Sequence, residues 1–299
     1  MSRVAYVNGK FILLNRAQVS IEDRGYQFAD GIYEVISLIE RRLINLEEHL
    51  KRLEQSLSLL QISLPVKRKT LVFLINQTIQ HNKVTSGIVY VQITRGVAPR
   101  SHIFPENIKS SLIISVKPYN YMNNVDGLTG EKAITFPDQR WARPNIKSIA
   151  LLPNILAKQQ AFKGGAFEAI LVNEKGLVTE GSHSNVFIVG KEGVLKTPPA
   201  THSILDGITC QTILKLCHED HIPIQETSFS EASLFNAEEV FLTGTTTLVK
   251  PITQINDEMI GKGEVGYLTK RIARLYRDYC FREKVEKKSE QYKYKSLAA

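Results

Sequence analysis

A lysine and a glutamate have surroundings that could support chemistry. Lys147 is followed at once by an apolar run over residues 149–152. An amine buried beside such a run has a lowered pKa and becomes a nucleophile. Glu180 precedes a glycine at the end of a predicted strand, where a carboxylate could pair with a protonated ring nitrogen. Taken singly, an exposed lysine and a turn carboxylate are the plainer interpretations of these residues.

Three other features could bind an anion such as phosphate. A glycine at position 207 comes just before a helix predicted over 209–220, and the free N–H groups of a helix N-terminus attract anions. The segment 243–247 offers a glycine and several hydroxyl groups in a short turn. Arg52 lies off the apolar stripe of a predicted helix, either as a surface charge or as a further phosphate ligand. Each feature is common, so none alone identifies a site.

A loop that contains glycine and proline carries two residues suited to a carboxylate. These residues are Arg100 and His102, and an arginine can grip a carboxylate with two parallel hydrogen bonds. An exposed basic loop is the plainer interpretation. The phenol of Tyr33 could face either a pocket or the core. Together, a lysine nucleophile, an acid for a ring nitrogen and a phosphate cradle are the groups that hold pyridoxal phosphate, and a carboxylate clamp indicates an amino-acid substrate.

The elements that position these residues predict a mixed α/β chain in two parts. The N-terminal part combines a hairpin turn at Asn8-Gly9 with a helix whose leucines recur at steps of three and four over 46–60. Further predicted elements are a strand at 33–39, a helix at 68–82, strands at 88–94 and 111–116, a helical run within 147–163, strands at 169–172, 185–189 and 240–242, and helices at 209–220 and 264–281.

Turn-forming residues crowd the middle of the chain and divide it. We predict an N-terminal α/β domain over 1–118, a linker over 119–132, a C-terminal cofactor-binding domain over 133–283 and a flexible charged tail over 284–299. A cleft between two such domains is the expected ligand site.

Composition and charge exclude several classes of protein. The chain has 299 residues, of which 43% are hydrophobic and 23% charged, as in globular proteins. No apolar run approaches the roughly 20 residues of a membrane-spanning helix, and residues 1–9 lack a secretory signal, so we expect a cytoplasmic protein without a membrane partner. The net charge is +8, but no zinc-finger or RNA-binding signature accompanies it, so nucleic acid is not expected as a partner. The 3 cysteines predict neither a disulfide framework nor structural zinc, and no metal is expected.

Seven segments, in order along the chain, resemble a known family. They are EDRGYQFADGIYEV at 22–35, EHLKRL at 48–53, QITRGVAPRSH at 92–102, IKS at 146–148, TEGS at 179–182, NVF at 185–187 and GIT at 207–209. These segments are similar to those of the class IV, fold-type IV pyridoxal-phosphate aminotransferases, and within that family to the D-amino acid (D-alanine) branch. One such segment would be weak support, whereas seven in family order are strong.

The resemblance implies a role for each candidate residue. Lys147 corresponds to the lysine that forms a Schiff base with the cofactor and moves the substrate proton, and Glu180 to the acid that faces the pyridine nitrogen. The implied phosphate and cofactor contacts are Arg52, Gly207, Ile208, Thr209 and Thr245. The implied trap for the substrate carboxylate consists of Tyr33, Arg100 and His102.

The resemblance also implies an assembly and a reaction. In the family the loop with arginine and histidine reaches over from the partner subunit, which implies a homodimer with shared active sites. The Arg-x-His pair indicates D-amino acids, and the implied reaction converts D-alanine and 2-oxoglutarate into pyruvate and D-glutamate. The fold implied is the two-domain fold of type IV, with the active site between the domains.

Three positions depart from the family pattern. Cys210 stands where arginine is frequent, His183 where a small residue is usual and Gly244 where serine is expected. These departures concern side-chain preference and cofactor affinity rather than the class of reaction. An L-branched-chain aminotransferase, an (R)-amine transaminase and an aminodeoxychorismate lyase are the alternatives on the same fold. A basic, non-catalytic binding protein on a degenerate enzyme fold is the alternative of a different class.

Overall fold

The computed structural model describes residues 3–121 and 128–282. Part of the linker predicted over 119–132 therefore lies outside the described residues, and so does the whole tail predicted over 284–299. Within the described residues, no helix is both long enough and apolar enough to cross a membrane.

The N-terminal part is an antiparallel sheet with two long helices against it. Its elements are β1 (Val4–Val7), β2 (Lys10–Leu13), α1 (Arg24–Phe28), β3 (Gly31–Ile39), β4 (Arg42–Leu43), α2 (Leu46–Leu59), α3 (Arg68–Asn82), β5 (Gly87–Thr94) and β6 (Ser111–Pro118). The strand order is β2-β1-β6-β5-β3-β4, and all neighbours are antiparallel. This sheet places β3, which carries Tyr33, near one edge.

Local sequence signals explain the first strands and the second helix. The predicted hairpin is confirmed: Asn8 and Gly9 have φ values of 45° and 99°, which suit the two-residue turn between β1 and β2. The leucine stripe of α2 packs into the core through Leu50, Leu53 and Leu57. Asn45 stands at the N-cap of α2 without capping it, because its side-chain oxygen accepts instead from the hydroxyl of Tyr279.

The C-terminal part is built on a larger, mixed sheet. Its elements are β7 (Glu131–Pro137), α4 (Leu152–Lys163), β8 (Glu168–Val172), β9 (Val178–Gly181), β10 (Asn185–Val189), β11 (Leu195–Thr197), α5 (Ile208–Glu219), β12 (Ile224–Glu226), α6 (Glu231–Phe235), β13 (Glu239–Gly244), β14 (Leu248–Ile255), β15 (Glu258–Met259) and α7 (Tyr267–Arg282). The strand order is β12-β11-β10-β13-β14-β7-β8-β9, with β15 added beside β14. Mixed helices and two sheets confirm the predicted mixed α/β class.

The helical run predicted within 147–163 begins later than its first residue. Helix α4 starts at Leu152, with a proline in its first turn, so Lys147 lies in the extended segment before the helix. That segment pairs with the start of β3. The amide of Tyr33 donates to the carbonyl of Lys147 at 3.0 Å, and Ile32 and Ser148 form an isolated antiparallel bridge. The two parts of the chain are thus joined by backbone pairing at the candidate lysine.

Candidate active site

An open cavity lies where the two parts of the chain meet. Ligand sites commonly occur between domains. The predicted site residues that line this cavity are Tyr33, Arg52, Lys147, Glu180, Gly207, Ile208, Thr209 and Thr245. The structure therefore brings eight of the ten residues into one place.

Lys147 points its amine at the phenol of Tyr33. Nζ donates to the Tyr33 hydroxyl at 3.4 Å and lies 4.5 Å from the centroid of the ring. Its backbone is fixed on both sides, because its carbonyl accepts from Tyr33 and its amide donates to Ser56 Oγ at 3.3 Å. An amine held in this way has few alternative positions.

The environment of Lys147 makes its amine a nucleophile near neutral pH. Burial, followed by the nearby Arg52 cation, lowers the pKa of Lys147 from 10.5 to about 7, against an opposing effect of Glu34. Burial also raises the pKa of the Tyr33 phenol to about 12, so that phenol keeps its proton. A neutral amine beside a neutral phenol is suited to attack a carbonyl and to carry a proton.

Arg52 belongs to a buried cluster with two residues that sequence analysis missed. Its guanidinium binds Glu34 through two hydrogen bonds of 2.7 and 2.8 Å and donates to the carbonyl of Asp206 at 2.8 Å. His49 Nδ1 lies 2.8 Å from the same carboxylate. Burial alone would raise the pKa of Glu34, but Arg52 and His49 lower it to about 2. Burial lowers the pKa of His49, which leaves Arg52 as the cation of the cluster at neutral pH.

The N-terminus of α5 opens into the same cavity. Gly207 is its N-cap, no side chain caps the first turn, and Ile208 and Thr209 follow. The first N–H groups of a helix have no partner within it and favour an anion. A Cβ at Gly207 would come within 1.9 Å of the Asn185 side-chain oxygen, so this approach requires glycine.

The turn after β13 contributes hydroxyl groups to the cavity. Ser37 Oγ donates to the carbonyl of Thr245 at 2.9 Å, which ties this turn to β3. Thr243 also lines the cavity, and its buried Oγ1 has no hydrogen-bond partner among the described residues. Buried hydroxyls rarely lack a partner, so Thr243 Oγ1 is available to a polar ligand or to a water molecule at this position.

Glu180 is held in place by an arginine that sequence analysis also missed. Arg140 pairs with Glu180 and, at 2.7 Å, with Asp138. Burial alone would raise the pKa of Asp138, but hydrogen bonds from Arg140 hold it below its usual range. The amide of Leu205 points at both carboxylate oxygens of Glu180, at 3.3 and 3.4 Å. The orientation of Glu180 is therefore fixed from two sides.

His183, one of the departures from the family pattern, contacts a buried carboxylate at the rim of the cavity. Its Nδ1 lies 2.5 Å from Glu168 Oε2, while its side chain is 42% exposed. The hydroxyls of Ser182 and Ser184 also donate to Glu168. Burial opposes ionisation of Glu168, yet these partners, led by His183, keep its pKa below the usual range.

Arg100 and His102 do not line this cavity. Both lie on an exposed loop after β5, where Arg100 Cζ is 4.8 Å and the His102 ring 5.5 Å from the Phe28 ring. Among the described residues, neither side chain forms a hydrogen bond or an ion pair. The single chain therefore does not unite them with the other eight candidates.

Some of the missed residues carried a signal that could have been used. Glu34 interrupts the apolar strand β3 at an inward-facing position, and a buried charge needs a partner. His49 and Arg52 are three apart on α2, so they share one face. Asp138 and Arg140 follow a strand in an ordinary-looking turn, and nothing local distinguishes them.

The residues present fit pyridoxal phosphate. A lysine with a lowered pKa lines the same cavity as the Glu180 carboxylate, which pairs with Arg140, and Arg52 and the uncapped N-terminus of α5 offer a separate anion site. The buried Thr243 hydroxyl without a partner adds an unfilled polar contact on the cavity wall. An aldehyde, a basic ring nitrogen and a phosphate are the three groups that these features can bind.

Comparison with known proteins agrees with a site that binds pyridoxal phosphate. Residues 31–255 match the family model for class IV amino-transferases. A D-alanine aminotransferase of Bacillus licheniformis is 40% identical over 265 residues, which cover 89% of this chain and 93% of that protein. A D-alanine aminotransferase of Staphylococcus haemolyticus is 38% identical and covers 92% and 96% of the two chains. This chain belongs to the class IV aminotransferases, a family of pyridoxal-phosphate enzymes.

Solved structures show the same fold. The branched-chain amino acid aminotransferase of Escherichia coli superposes with a TM-score of 0.85 at 26% identity, over 92% of this chain and 93% of that one. The branched-chain aminotransferase of Thermoproteus uzoniensis, solved with norvaline, has a TM-score of 0.85 at 25% identity, over 95% of this chain and 97% of that one. A further branched-chain aminotransferase of this fold was solved with pyridoxamine 5'-phosphate. The predicted fold-type IV architecture, with two domains, is confirmed. The domain bounds 1–118 and 133–283 stay predictions.

Proposed function

We propose that this chain transfers an amino group between a D-amino acid and a 2-oxo acid with pyridoxal phosphate as cofactor. The observation that carries the proposal is the contact between the Lys147 amine and Tyr33 in a cavity that also holds Glu180 and an anion site. The names of the relatives that are 36–40% identical support D-alanine as a substrate.

The residues that line the cavity suggest how each group of the cofactor would be bound. Arg52, the amides at Gly207, Ile208 and Thr209, and the turn at Thr245 would hold its phosphate. Glu180, fixed by Arg140, would face its ring nitrogen. The bound cofactor supplies an aldehyde that joins the substrate amine and a ring that takes up the electrons of the broken Cα–H bond.

Lys147 has two tasks in this proposal. Its neutral amine would hold the cofactor through the aldehyde group. Once a substrate amine has taken that place, the freed Nζ would serve as the base that accepts the Cα proton and as the acid that gives it back. A pKa of about 7 suits both tasks, because an amine near that value both accepts and releases protons at neutral pH. The handedness of the substrate would follow from which of its faces meets Nζ, and the residues that hold its carboxylate would set that face.

We further propose a homodimer in which Arg100 and His102 of one copy complete the site of the other. These two side chains lie outside the cavity of their own chain with no hydrogen-bonding partner among the described residues. Helix α4 beside the cavity exposes large apolar side chains, whose burial against a second copy would be favourable: Leu152, Ile155, Leu156 and Phe162. The substrate carboxylate would then be held by Tyr33 from one copy and by Arg100 and His102 from the other.

A cytoplasmic location is part of the same proposal. Cys210, Cys217 and Cys280 are all free and buried. Unpaired thiols are typical of a reducing compartment. A fusion of this chain to a fluorescent protein, imaged in its host, tests the location.

The first experiment is an absorbance spectrum of the purified holoenzyme before and after addition of D-alanine or L-alanine. We expect the visible band of the lysine-bound cofactor to disappear with D-alanine alone, and pyruvate to form when 2-oxoglutarate is added. Disappearance with L-alanine alone would favour the branched-chain alternative. A protein that takes up no cofactor at all would support the non-catalytic alternative.

A further inference from the structure

One aromatic ring connects the two side chains proposed to bind the substrate carboxylate. Phe28 ends α1, and its ring centroid lies 4.8 Å from Arg100 Cζ and 5.5 Å from the centre of the His102 ring. The planes of Phe28 and His102 are tilted by 49°. Arg24 lies on the same ring, with its Cζ at 4.9 Å. Phe28 is therefore in contact with both residues of the Arg-x-His pair at once.

The backbone between the two residues is held by the same α1 segment. Arg24 donates through Nη1 to the carbonyl of Ser101, which stands between Arg100 and His102, and through Nε to Asp30 at 2.8 Å. Asp30 also binds Arg95 at 2.7 Å, at the start of the loop. Arg24 and Arg95 are almost fully buried. The loop is thus tied at its start and at its tip.

The contact with Phe28 leaves the binding groups of the loop available. A guanidinium over an aromatic ring uses its flat face, while the N–H groups along its edge stay free for a planar carboxylate. In residues 3–121 and 128–282, Arg100 and His102 donate no hydrogen bond and have no acidic partner. A side chain that is already ordered loses less conformational entropy when it binds.

A second aromatic ring, on the loop itself, contacts a different arginine. Phe104 lies two residues after His102, and its ring is covered by Arg95 Cζ at 3.5 Å. Arg95 is fully engaged by Asp30 and by the carbonyls of Leu60 and Gln61. Phe104 therefore packs on an arginine whose donors are used within the fold, whereas Phe28 contacts both such an arginine, Arg24, and Arg100, whose donors are free.

We propose that Phe28 is a positioning residue for substrate binding: its ring holds Arg100 and His102 side by side, with their donors directed outward, before the carboxylate arrives. This inference rests on the proposed function and deepens it, since it assigns a residue to the carboxylate trap that touches neither substrate nor cofactor. The ligand class is any 2-amino or 2-oxo carboxylate.

The test compares three variants of the holoenzyme with wild type. Phe28→Leu removes the ring but keeps an apolar side chain, Phe28→Tyr keeps the ring, and Phe73→Leu makes the same change at an exposed position on α3. We expect Phe28→Leu to raise KM for D-alanine about fivefold, the scale of one or two cation–π contacts, with kcat nearly unchanged. Phe28→Tyr and Phe73→Leu should keep wild-type values.

A second measurement isolates carboxylate binding from catalysis. Propionate carries the carboxylate without the amine, and its inhibition constant should rise in Phe28→Leu by the same factor as KM. The dissociation constant of pyridoxal phosphate, measured on the apoprotein, should stay the same in all three variants. An unchanged KM and inhibition constant in Phe28→Leu, or a parallel loss of cofactor binding, would overturn the inference. Absence of D-alanine turnover in wild type would instead overturn the proposed function.

Discussion

The cluster around Arg52 and the loop around Arg100 hold their cations in different ways. Arg52 is 8% exposed, and its guanidinium is gripped by Glu34 and by the carbonyl of Asp206. Arg100 is exposed, rests on the face of one aromatic ring and has no acidic partner among residues 3–121 and 128–282. One cation is fixed by charge and the other by the flat face of a ring.

The difference follows from what each cation has to do. A residue that helps to lower the pKa of Lys147, and that is proposed to bind a phosphate, needs one geometry, and buried ion pairs provide it. A residue that must bind and release a substrate in each cycle cannot be neutralised by a carboxylate of its own chain. Stacking on an aromatic ring orders such a cation without occupying its donors. The predictions below test this contrast.

The largest effect is expected at the amine that the Arg52 cluster tunes. Replacing Lys147 by Ala removes both the nucleophile and the proton carrier, so turnover should fall by at least about 10⁴-fold. The measurement is pyruvate formation from D-alanine, with Lys215→Ala, a change at an exposed lysine on α5, as the control. Turnover at the wild-type rate in Lys147→Ala would show that Lys147 is not the catalytic lysine.

The buried cluster should be sensitive to the loss of one charge. Glu34→Gln leaves Arg52 without its anion in a buried place, which costs about 3–5 kcal/mol of unfolding free energy. The matched change Glu47→Gln breaks an exposed pair with Arg68 and should cost less than about 1 kcal/mol. Urea denaturation of both variants measures the difference, and equal costs would contradict the contrast between buried and exposed charges.

The same cluster predicts how stability depends on pH. The pKa of Glu34 is lowered from 4.5 to about 2, so its contribution is complete above pH 4.5 and is lost as the pH falls toward 2. Wild type should lose more unfolding free energy than Glu34→Gln over this interval. Parallel curves for the two proteins would show that Glu34 is not the titrating group.

The exposed loop should affect substrate binding and leave the cofactor alone. Arg100→Ala removes the planar donor for the carboxylate, and we expect KM for D-alanine to rise about 10- to 100-fold, the scale of a charge-assisted hydrogen bond. The dissociation constant of pyridoxal phosphate should not change. Arg16→Ala, at another exposed arginine, serves as the control. A loss of cofactor affinity in Arg100→Ala would contradict this prediction, because it would show that Arg100 acts on the cofactor, as is proposed for Arg52.

The smallest effect concerns the rate at which the apoprotein takes up cofactor. Because the pKa of Lys147 is lowered to about 7, the fraction of neutral amine rises as the pH passes through 7. The uptake rate of pyridoxal phosphate should increase with pH and level off above about pH 8. A rate that still rises toward pH 10 would mean that Lys147 has an ordinary pKa.

The sequence predicted those features that depend on local periodicity or on a motif. The hairpin at Asn8-Gly9 and the leucine stripe of α2 depend only on residues close together in sequence, and the structure confirms both. The helical run predicted within 147–163 is confirmed by α4, but its first residue could not be predicted, because residues 147–149 pair with β3, which is distant in sequence. The proline at position 153 marks the true start of α4, because proline favours the first helical turn.

The candidate site could likewise be predicted only where its residues lie in recognisable motifs. Motif resemblance identified the ten site residues, and eight of them line one cavity. The residues that orient them were not predictable in this way, since Glu34 meets Arg52 and Arg140 meets Glu180 only after separate elements have packed. The aromatic ring that contacts Arg100 belongs to Phe28 on helix α1, and only the folded structure shows this contact.

The pairing between β3 and the segment at Lys147 also makes the reactivity of this lysine depend on the folded state. A lysine with a pKa near 7 reacts with any aldehyde it meets, whereas an ordinary lysine is almost fully protonated at neutral pH. The lowered pKa follows first from burial and then from Arg52, which comes from the other part of the chain. An unfolded chain has neither, so its Lys147 amine is protonated at neutral pH, and reactivity toward an aldehyde requires the two parts to be packed together.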